Sequence, residues 1–355
     1  VVKLRDIAAL EYVVKNYKFT KYDFSCLLIT DDILKLFIDC HTLDLSFCGK
    51  ITDESVKFIA KQENFTCPFG DKVKLLGNCH TLKLSFCSQL TDESVKLPCC
   101  RRHRLEFKLC LKLLLCNCHT LDIFNCGNIT DDSVKRLANC HTLNLFHCTE
   151  ITDKSVKMLG KTGSIASSLT CSPKERQGKC HTLNLFYCYK ITDKSVKILR
   201  NCHTLNLSFC NQITDESVKM LGKTGSIASS LTCSPKERQG NCHTLNLSHC
   251  YKITDGSVKI LSNCHMLDLS YCDKITDESV KMLEKCNTLD LSYCDLGRIG
   301  CTTNSCQVKP AKSDKITDNS VKLLGKCHTL KLSGCDEITD IVVNNLRKCG
   351  VYVVV

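Results

Sequence analysis

The sequence predicts an α/β solenoid: short units stacked in a row, each a β-strand followed by a turn and a short helix, with the strands in one parallel sheet. Two observations predict it. A sentence of the form Cys-His-Thr-Leu-Asn-Leu-Ser-x-Cys-x-x-Ile-Thr-Asp-x-Ser-Val-Lys-x-Leu recurs along the 355 residues, and its copies at Cys242 and Cys264 start 22 residues apart. A fixed period of this size marks units too small to bury an apolar face alone, so that each must stack on its neighbours. Within the unit the apolar spacing also changes, from alternation at Leu205 and Leu207 to three apart at Val218 and Leu221. Alternation suits a strand and three-residue spacing suits a helix.

The unit, numbered from its first cysteine, reads C-x-x-L-x-L-x-x-C-x-x-I-T-D-x-S-V-x-x-L and resembles the leucine-rich repeat, specifically its cysteine-containing subtype. Cys202 takes the first leucine position of the general pattern, Leu205 and Leu207 the next two, and Cys210 the position of asparagine or cysteine. The resemblance implies a horseshoe with a parallel sheet on the concave face and short helices on the convex face.

The elements follow in order. Residues 4 to 17 form an apolar-periodic segment suited to capping the first end, and Tyr22 to Asp31 look like a worn first unit, so 1–39 are read as a cap with a degenerate repeat. Repeats occupy 40–348. Ten units carry both cysteines in register, starting at Cys40, Cys79, Cys118, Cys140, Cys180, Cys202, Cys242, Cys264, Cys286 and Cys327. Leu205 and Leu207 are expected inside, with Thr204, Asn206 and Ser208 outside. Ile213-Thr214-Asp215 reads as a turn into a short helix, since Thr or Asp can accept from its first N–H groups, and Asp215 and its equivalents are read as caps rather than catalytic acids. At 349–355 Cys349, Tyr352 and Val354 fit positions one, four and six of a terminal half-repeat.

Five intervals are longer by 17 to 19 residues, with inserts near 58–75, 98–117, 162–179, 224–241 and 296–314. His103 to Cys110 overlays the strand sentence and is expected to add a strand, as is Asn64 to Leu76. Thr162 to Gly178 recurs unchanged at Thr224 to Gly240 with Gly, Ser and Pro, and reads as a loop, either from a duplicated block or from non-coding sequence kept in a gene model. Leu296 to Asp314 also reads as a loop.

The 31 cysteines mostly recur in phase with the leucines, so they belong to the core and imply a reducing compartment, cytoplasmic or nuclear. A net charge of +11 suits an anionic partner, but one lysine per repeat and the basic inserts account for much of it, so nucleic acid is not favoured. No long apolar run suggests a membrane span.

Nine Cys-His dipeptides invite a metal or thiol-nucleophile reading, yet adjacent residues of a strand point to opposite faces and cannot share an ion. Neighbouring histidines fit an exposed or stacked column. The lysine row that includes Lys219 and Lys281 reads as a solvated helical face, with Glu216 and Glu278 three residues before. No phosphate loop, nucleophile elbow or zinc-binding helix motif occurs, so neither catalytic residue, metal nor cofactor is predicted, and the chain is not read as an enzyme.

Function is therefore sought on the surface. Position seven is Ser in most units, but it is Phe124, Phe146 and Phe186 in three consecutive regular ones. These rings are expected to point to solvent as an apolar stripe beside Asn144 and Asn184, with His147 and Tyr187 next along the chain, and to hold a protein partner on the concave face. The bland alternative is drift in a decaying array, or packing under the inserted loops. The cysteine-containing repeat resembles the target-binding arrays of F-box proteins, which implies recognition of a ubiquitin-ligase target. Residues 1 to 39 lack the Leu-Pro start of an F-box, so the alternative is a stand-alone scaffold or inhibitor.

Overall fold

The structure, a computed structural model, describes residues 2–3, 12, 16–17, 19–30, 40–53, 79–91, 118–134, 137, 140–161, 180–222, 242–295 and 316–355. The five inserts lie outside the described residues, as does most of the segment 4 to 17. The chain forms two compact units, Val1–Asn184 and Leu185–Val355.

In the first unit, strands β1 (Val2–Lys3), β2 (Lys21–Asp23), β3 (Thr42–Asp44), β4 (Thr81–Lys83), β5 (Thr120–Asp122), β6 (Thr142–Asn144) and β7 (Thr182–Asn184) pair in sequence order, all parallel. The second unit repeats this with β8 (Thr204–Asn206), β9 (Thr244–Asn246), β10 (Met266–Asp268), β11 (Thr288–Asp290), β12 (Thr329–Lys331) and β13 (Tyr352–Val354). Identical positions face each other, Leu205 on Leu245 and Leu289 on Leu330. Register is set because a one-residue slip would turn every central leucine outward.

Strands β3 and β4, and β4 and β5, pair directly and in register; the segments 64–76 and 103–110, expected to add strands, lie outside the described residues.

Each described rung closes over the same core. In the unit starting at Cys202, the side chains of Cys202, Leu205, Leu207, Cys210, Ile213, Val218 and Leu221 are all buried. A fully buried leucine contributes about 1.5–3 kcal/mol, so two per rung supply the main attraction between units that could not fold singly. The second cysteine adds a directional bond that periodicity does not reveal. Its thiol donates to the backbone carbonyl of the preceding rung: Cys210 Sγ to Leu185 O at 3.2 Å, Cys272 Sγ to Leu247 O at 3.3 Å and Cys294 Sγ to Leu269 O at 3.2 Å. Burial pushes the Cys210 thiol up to about 12, so it stays protonated and able to donate.

Helices α1 (Asp131–Val134) and α2 (Asp153–Lys161) belong to the first unit; α3 (Asp193–Val196), α4 (Asp215–Gly222), α5 (Asp255–Val258), α6 (Asp277–Val280), α7 (Asp318–Val321) and α8 (Asp340–Lys348) to the second. Their caps correct the assignment of Asp215. Threonine is the N-cap: Thr192, Thr254, Thr276 and Thr317 accept from the backbone N–H two residues on. The aspartate is the first helical residue, and its carboxylate reaches the next rung. Asp215 accepts from Thr254 N at 2.8 Å, Thr254 Oγ1 at 2.6 Å and Ser257 Oγ at 2.6 Å. Asp53, Asp131, Asp193, Asp255, Asp277 and Asp318 brace the threonine of the following rung in the same way.

The last half-repeat is out of the expected register by one residue. Thr329 pairs with Tyr352 and Leu330 with Val353, so Val351 and Val353 are buried, while Tyr352 is 66% exposed and Cys349 is exposed. The helix α8 runs nine residues and closes through Gly350 at φ +89, with Val351 N donating to Leu346 O, which delays the strand by one position.

Candidate functional site

The outward side of the strands is built by one recurring turn. The position-five carboxylate or amide accepts from the backbone N–H of position seven: Asp122 from Phe124, Asn144 from Phe146, Asn246 from Ser248 and Asp290 from Ser292, at 2.9–3.1 Å. This turn sends position eight into the left-handed region, where Phe47, Phe86, Asn125, His147, Tyr187, Phe209, His249, Tyr271 and Tyr293 lie at φ between 56 and 63. Such a backbone costs a non-glycine residue about 1–2 kcal/mol. It is held because position eight also donates its N–H to the next rung, as from Phe209 to Ser248 O at 3.0 Å.

The same constraint lines up the side chains. In the second unit Phe209, His249, Tyr271 and Tyr293 stack in succession with centroids 3.8, 4.0 and 4.7 Å apart, and Tyr187 leans on Phe209 at 5.6 Å. In the first unit Phe47 stacks on Phe86 at 4.2 Å, and Phe86 meets Phe124 edge-on at 4.5 Å. The position-eight column escapes a reading by alternation because consecutive aromatics there look like drift. The signal that could have found it is the Asn or Asp three residues before.

The predicted stripe is partly assembled. Phe124 and Phe146 lie edge to face at 4.2 Å in the first unit. Phe186 belongs to the second unit, where its ring meets Tyr187 at 6.2 Å and Phe209 at 4.9 Å. All three phenylalanines are half-buried rather than fully solvent-facing, because neighbouring rings cover one side of each; Tyr187 is exposed. Asn144 is tied into the scaffold, accepting from Phe146 N and donating Nδ2 to Asp122 at 3.0 Å. Asn184 is half-buried at the end of β7. His147 Nδ1 lies 2.6 Å from Asn125 Oδ1.

Histidines at position two form a second column. His41, His80, His119, His141 and His181 stack at 4.3–4.8 Å in the first unit, and His203, His243 and His265 at 4.4–4.5 Å in the second. Most place Nδ1 beside the next threonine hydroxyl, as His41 does at 3.2 Å. Parallel rings keep their lone pairs parallel, so they do not converge on an ion, and no group of three or more His, Cys, Asp or Glu among the described residues is placed to hold a metal. Burial, together with the charges of His141 and His80, holds the pKa of His119 below its ordinary value; burial with His203 and His265 does the same for His243.

A family model for the leucine-rich repeat matches residues 41–60, 203–222 and 262–283, each one rung of the stack just described. These three rungs are leucine-rich repeats. Similar solved structures include a chain of the yeast Rad7 and Elc1 complex, at 15% identity over 94% of this chain and 84% of that one, with a TM-score of 0.49. An internalin, InlF, of Listeria monocytogenes is similar at 16% identity over 98% and 93%, with a TM-score of 0.42. The mouse RP105/MD-1 complex is similar at 16% identity over 77% and 37%, with a TM-score of 0.38. A comparison with curated proteins finds no match. Leucine-rich repeats are in general non-enzymatic binding scaffolds, and a protein-interaction module is what this array of repeats provides. No helix among the described residues is long and apolar enough to cross a membrane.

Proposed function

We propose that the repeats recognise a protein partner through the outward side of the strands, centred on Phe124, Phe146 and Phe186, and that they serve as the target-recognition part of an F-box-type ubiquitin ligase adaptor in the cytosol or nucleus. One observation carries the recognition reading. The buried positions repeat almost unchanged from rung to rung, whereas the serine of position seven is replaced by phenylalanine at these three rungs, with Phe124 and Phe146 in contact at 4.2 Å. A change confined to outward positions leaves the stack intact and alters what it presents. The ligase part rests on the likeness of the cysteine-bearing repeat to F-box arrays. The alternative is a stand-alone scaffold or inhibitor without a ubiquitin link.

Photo-crosslinking tests both. A crosslinking residue placed at Phe146 of the full chain captures the partner, and one placed at Lys281 on the helical side does not. Ligase-core subunits among proteins co-purifying with the full-length product support the adaptor role, and a partner without them supports the scaffold. Equal capture from both positions contradicts recognition by the strand side.

A further inference from the structure

Two rungs of the second unit carry the same pair in the turn that follows the strand, Tyr189-Lys190 and Tyr251-Lys252, with Asn211-Gln212 on the rung between them. These turns are tied to one another, because parallel bridges join Thr192 to Gln212 and Thr214 to Lys252. Each tyrosine stands against the aromatic column. Tyr189 meets Tyr187 edge-on at 6.4 Å, and Tyr251 meets His249 edge-on at 5.9 Å, with its hydroxyl 2.9 Å from His249 Nδ1. Phe209 joins the two halves, touching Tyr187 at 5.6 Å and His249 at 3.8 Å, so the rings make one surface. Tyr187 and Tyr189 on it are 40% and 42% exposed, and contiguous exposed rings of this kind mark a contact surface.

The charge beside these rings is uncompensated. On the helical side, Lys219 and Lys281 are matched by Glu216 at 3.8 Å and by Glu278 at 2.8 Å. Lys252 instead donates to a neutral group, Gln212 Oε1, at 2.9 Å, which holds its ammonium over the rung between the two tyrosines. Lys274, at the same position one rung on, is exposed. Among the described residues no carboxylate pairs with either lysine.

We propose that this surface docks an acidic segment of a protein partner, with apolar side chains against Tyr189 and Tyr251 and carboxylates on Lys252 and Lys274. Fixed cations without acids of their own, set beside exposed rings, select a segment that carries both kinds of group. A single-stranded nucleic acid also combines rings with negative charge, but the geometry favours the peptide. The faces of Phe209 and His249 are taken by each other, so bases meet a column already stacked, and Asp273 beside Lys274 opposes a continuous phosphate chain. The proposal rests on the reading that the repeats bind a protein partner, and it does not need the phenylalanines of position seven.

The test titrates a fluorescein-labelled peptide of aspartate–leucine–glycine repeats into the full chain at about 0.15 M salt, beside a serine–leucine–glycine peptide and oligothymidylate. The acidic peptide binds, the serine peptide does not, and oligothymidylate binds more weakly than the acidic peptide. Tyr189→Asn with Tyr251→Asn gives both turns the residue of the intervening rung, so fold and charge are kept, and it weakens the acidic peptide by more than about tenfold. If that pair lowers the melting temperature, Tyr189→Asn alone, at an exposed ring, takes its place. Lys252→Gln with Lys274→Gln weakens binding by more than about tenfold, whereas Lys259→Gln with Lys322→Gln removes the same charge from the helical side and weakens it by less than about twofold. No binding of the acidic peptide, equal losses from the two lysine pairs, binding untouched by the tyrosine changes, or tighter binding of oligothymidylate overturns the proposal. Phe124→Ser with Phe146→Ser leaves the peptide's affinity unchanged, so failure to capture a partner from Phe146 while the peptide still binds overturns only the phenylalanine site.

Discussion

At the scale of single residues, two polar groups tie one rung to the next. The Cys210 thiol stacks as a small apolar group and also donates to Leu185 O. Cys210→Val keeps the volume and leaves Leu185 O with the Cys188 N–H as its donor, which should cost about 1 kcal/mol in urea unfolding, whereas Cys210→Ser, which retains a donor, should leave a larger part of the stability. A Cys210→Val protein as stable as the parent would show that the sulfur bond contributes nothing. Asp215 makes the second tie. Burial opposes its ionisation, but the bonds from Ser257 and Thr254 outweigh that and hold its carboxyl below the ordinary value. A carboxyl lowered on folding contributes stability that is whole above about pH 4 and is lost as pH falls through the folded value. Asp215→Ala should therefore cost about 3 kcal/mol at neutral pH. In the variant the loss of stability with acid should be shallower than in the parent. A parallel pH dependence in the two proteins would contradict this role.

At the scale of elements, the aromatic column and the histidine column make opposite contributions. The column of Phe209, His249, Tyr271 and Tyr293 offsets a left-handed backbone at each position with ring stacking to its neighbours. Phe209→Gly loses the stacking but relaxes the backbone, and Phe209→Ala loses the stacking and keeps the strain. The glycine variant should be the more stable by about 1 kcal/mol, in thermal melts of the two proteins. The reverse order would mean that the turn is not held left-handed in solution. The histidine column weakens with acid. Unfolded imidazole takes up its proton near pH 6.5, while His119 and His243 do so only at lower pH in the folded chain. Their contribution is whole above about pH 6.5 and is lost as pH falls through the folded value. Melting temperature should drop between about pH 7.5 and 5.5, and drop less in a His119→Gln, His243→Gln protein. Identical curves would remove the column as the cause.

How far these elements were legible follows from how local their causes are. Leu205, Leu207 and Val218 announce themselves by spacing, because alternation and three-residue spacing act inside one unit. The task of Asp215 was hidden, since a helix start explains an aspartate locally and its true partners, Thr254 and Ser257, lie 39 and 42 residues away. Position eight was hidden for a different reason: aromatic residues are poor candidates for a left-handed backbone, and the position-five turn together with the rung-to-rung N–H bond holds them in it. The final strand slipped by one residue because alternation in Tyr352, Val353 and Val354 fits either register, and the closure at Gly350 chooses between them. Of the candidate site, the phenylalanine contact of Phe124 with Phe146 was legible from position seven, and the structural use of Asn144 was not.

At the scale of the whole molecule, the core carries repetition and the outward side carries difference. Nearest-neighbour stacking makes each rung depend on the next, so the outward positions are free to diverge only where they leave the cysteine, leucine and aspartate ties alone. Phe124, Phe146 and Phe186 meet that condition, being half-buried and replaceable by the serine that most other rungs carry. The most direct measurement is the affinity of the crosslinked partner for a protein carrying Phe124→Ser, Phe146→Ser and Phe186→Ser, read beside its melting temperature. Recognition through these rings predicts a melting temperature close to the parent's and binding weakened by more than about tenfold, roughly 1.4 kcal/mol. Unchanged affinity, or a collapse of stability in the triple variant, would contradict it.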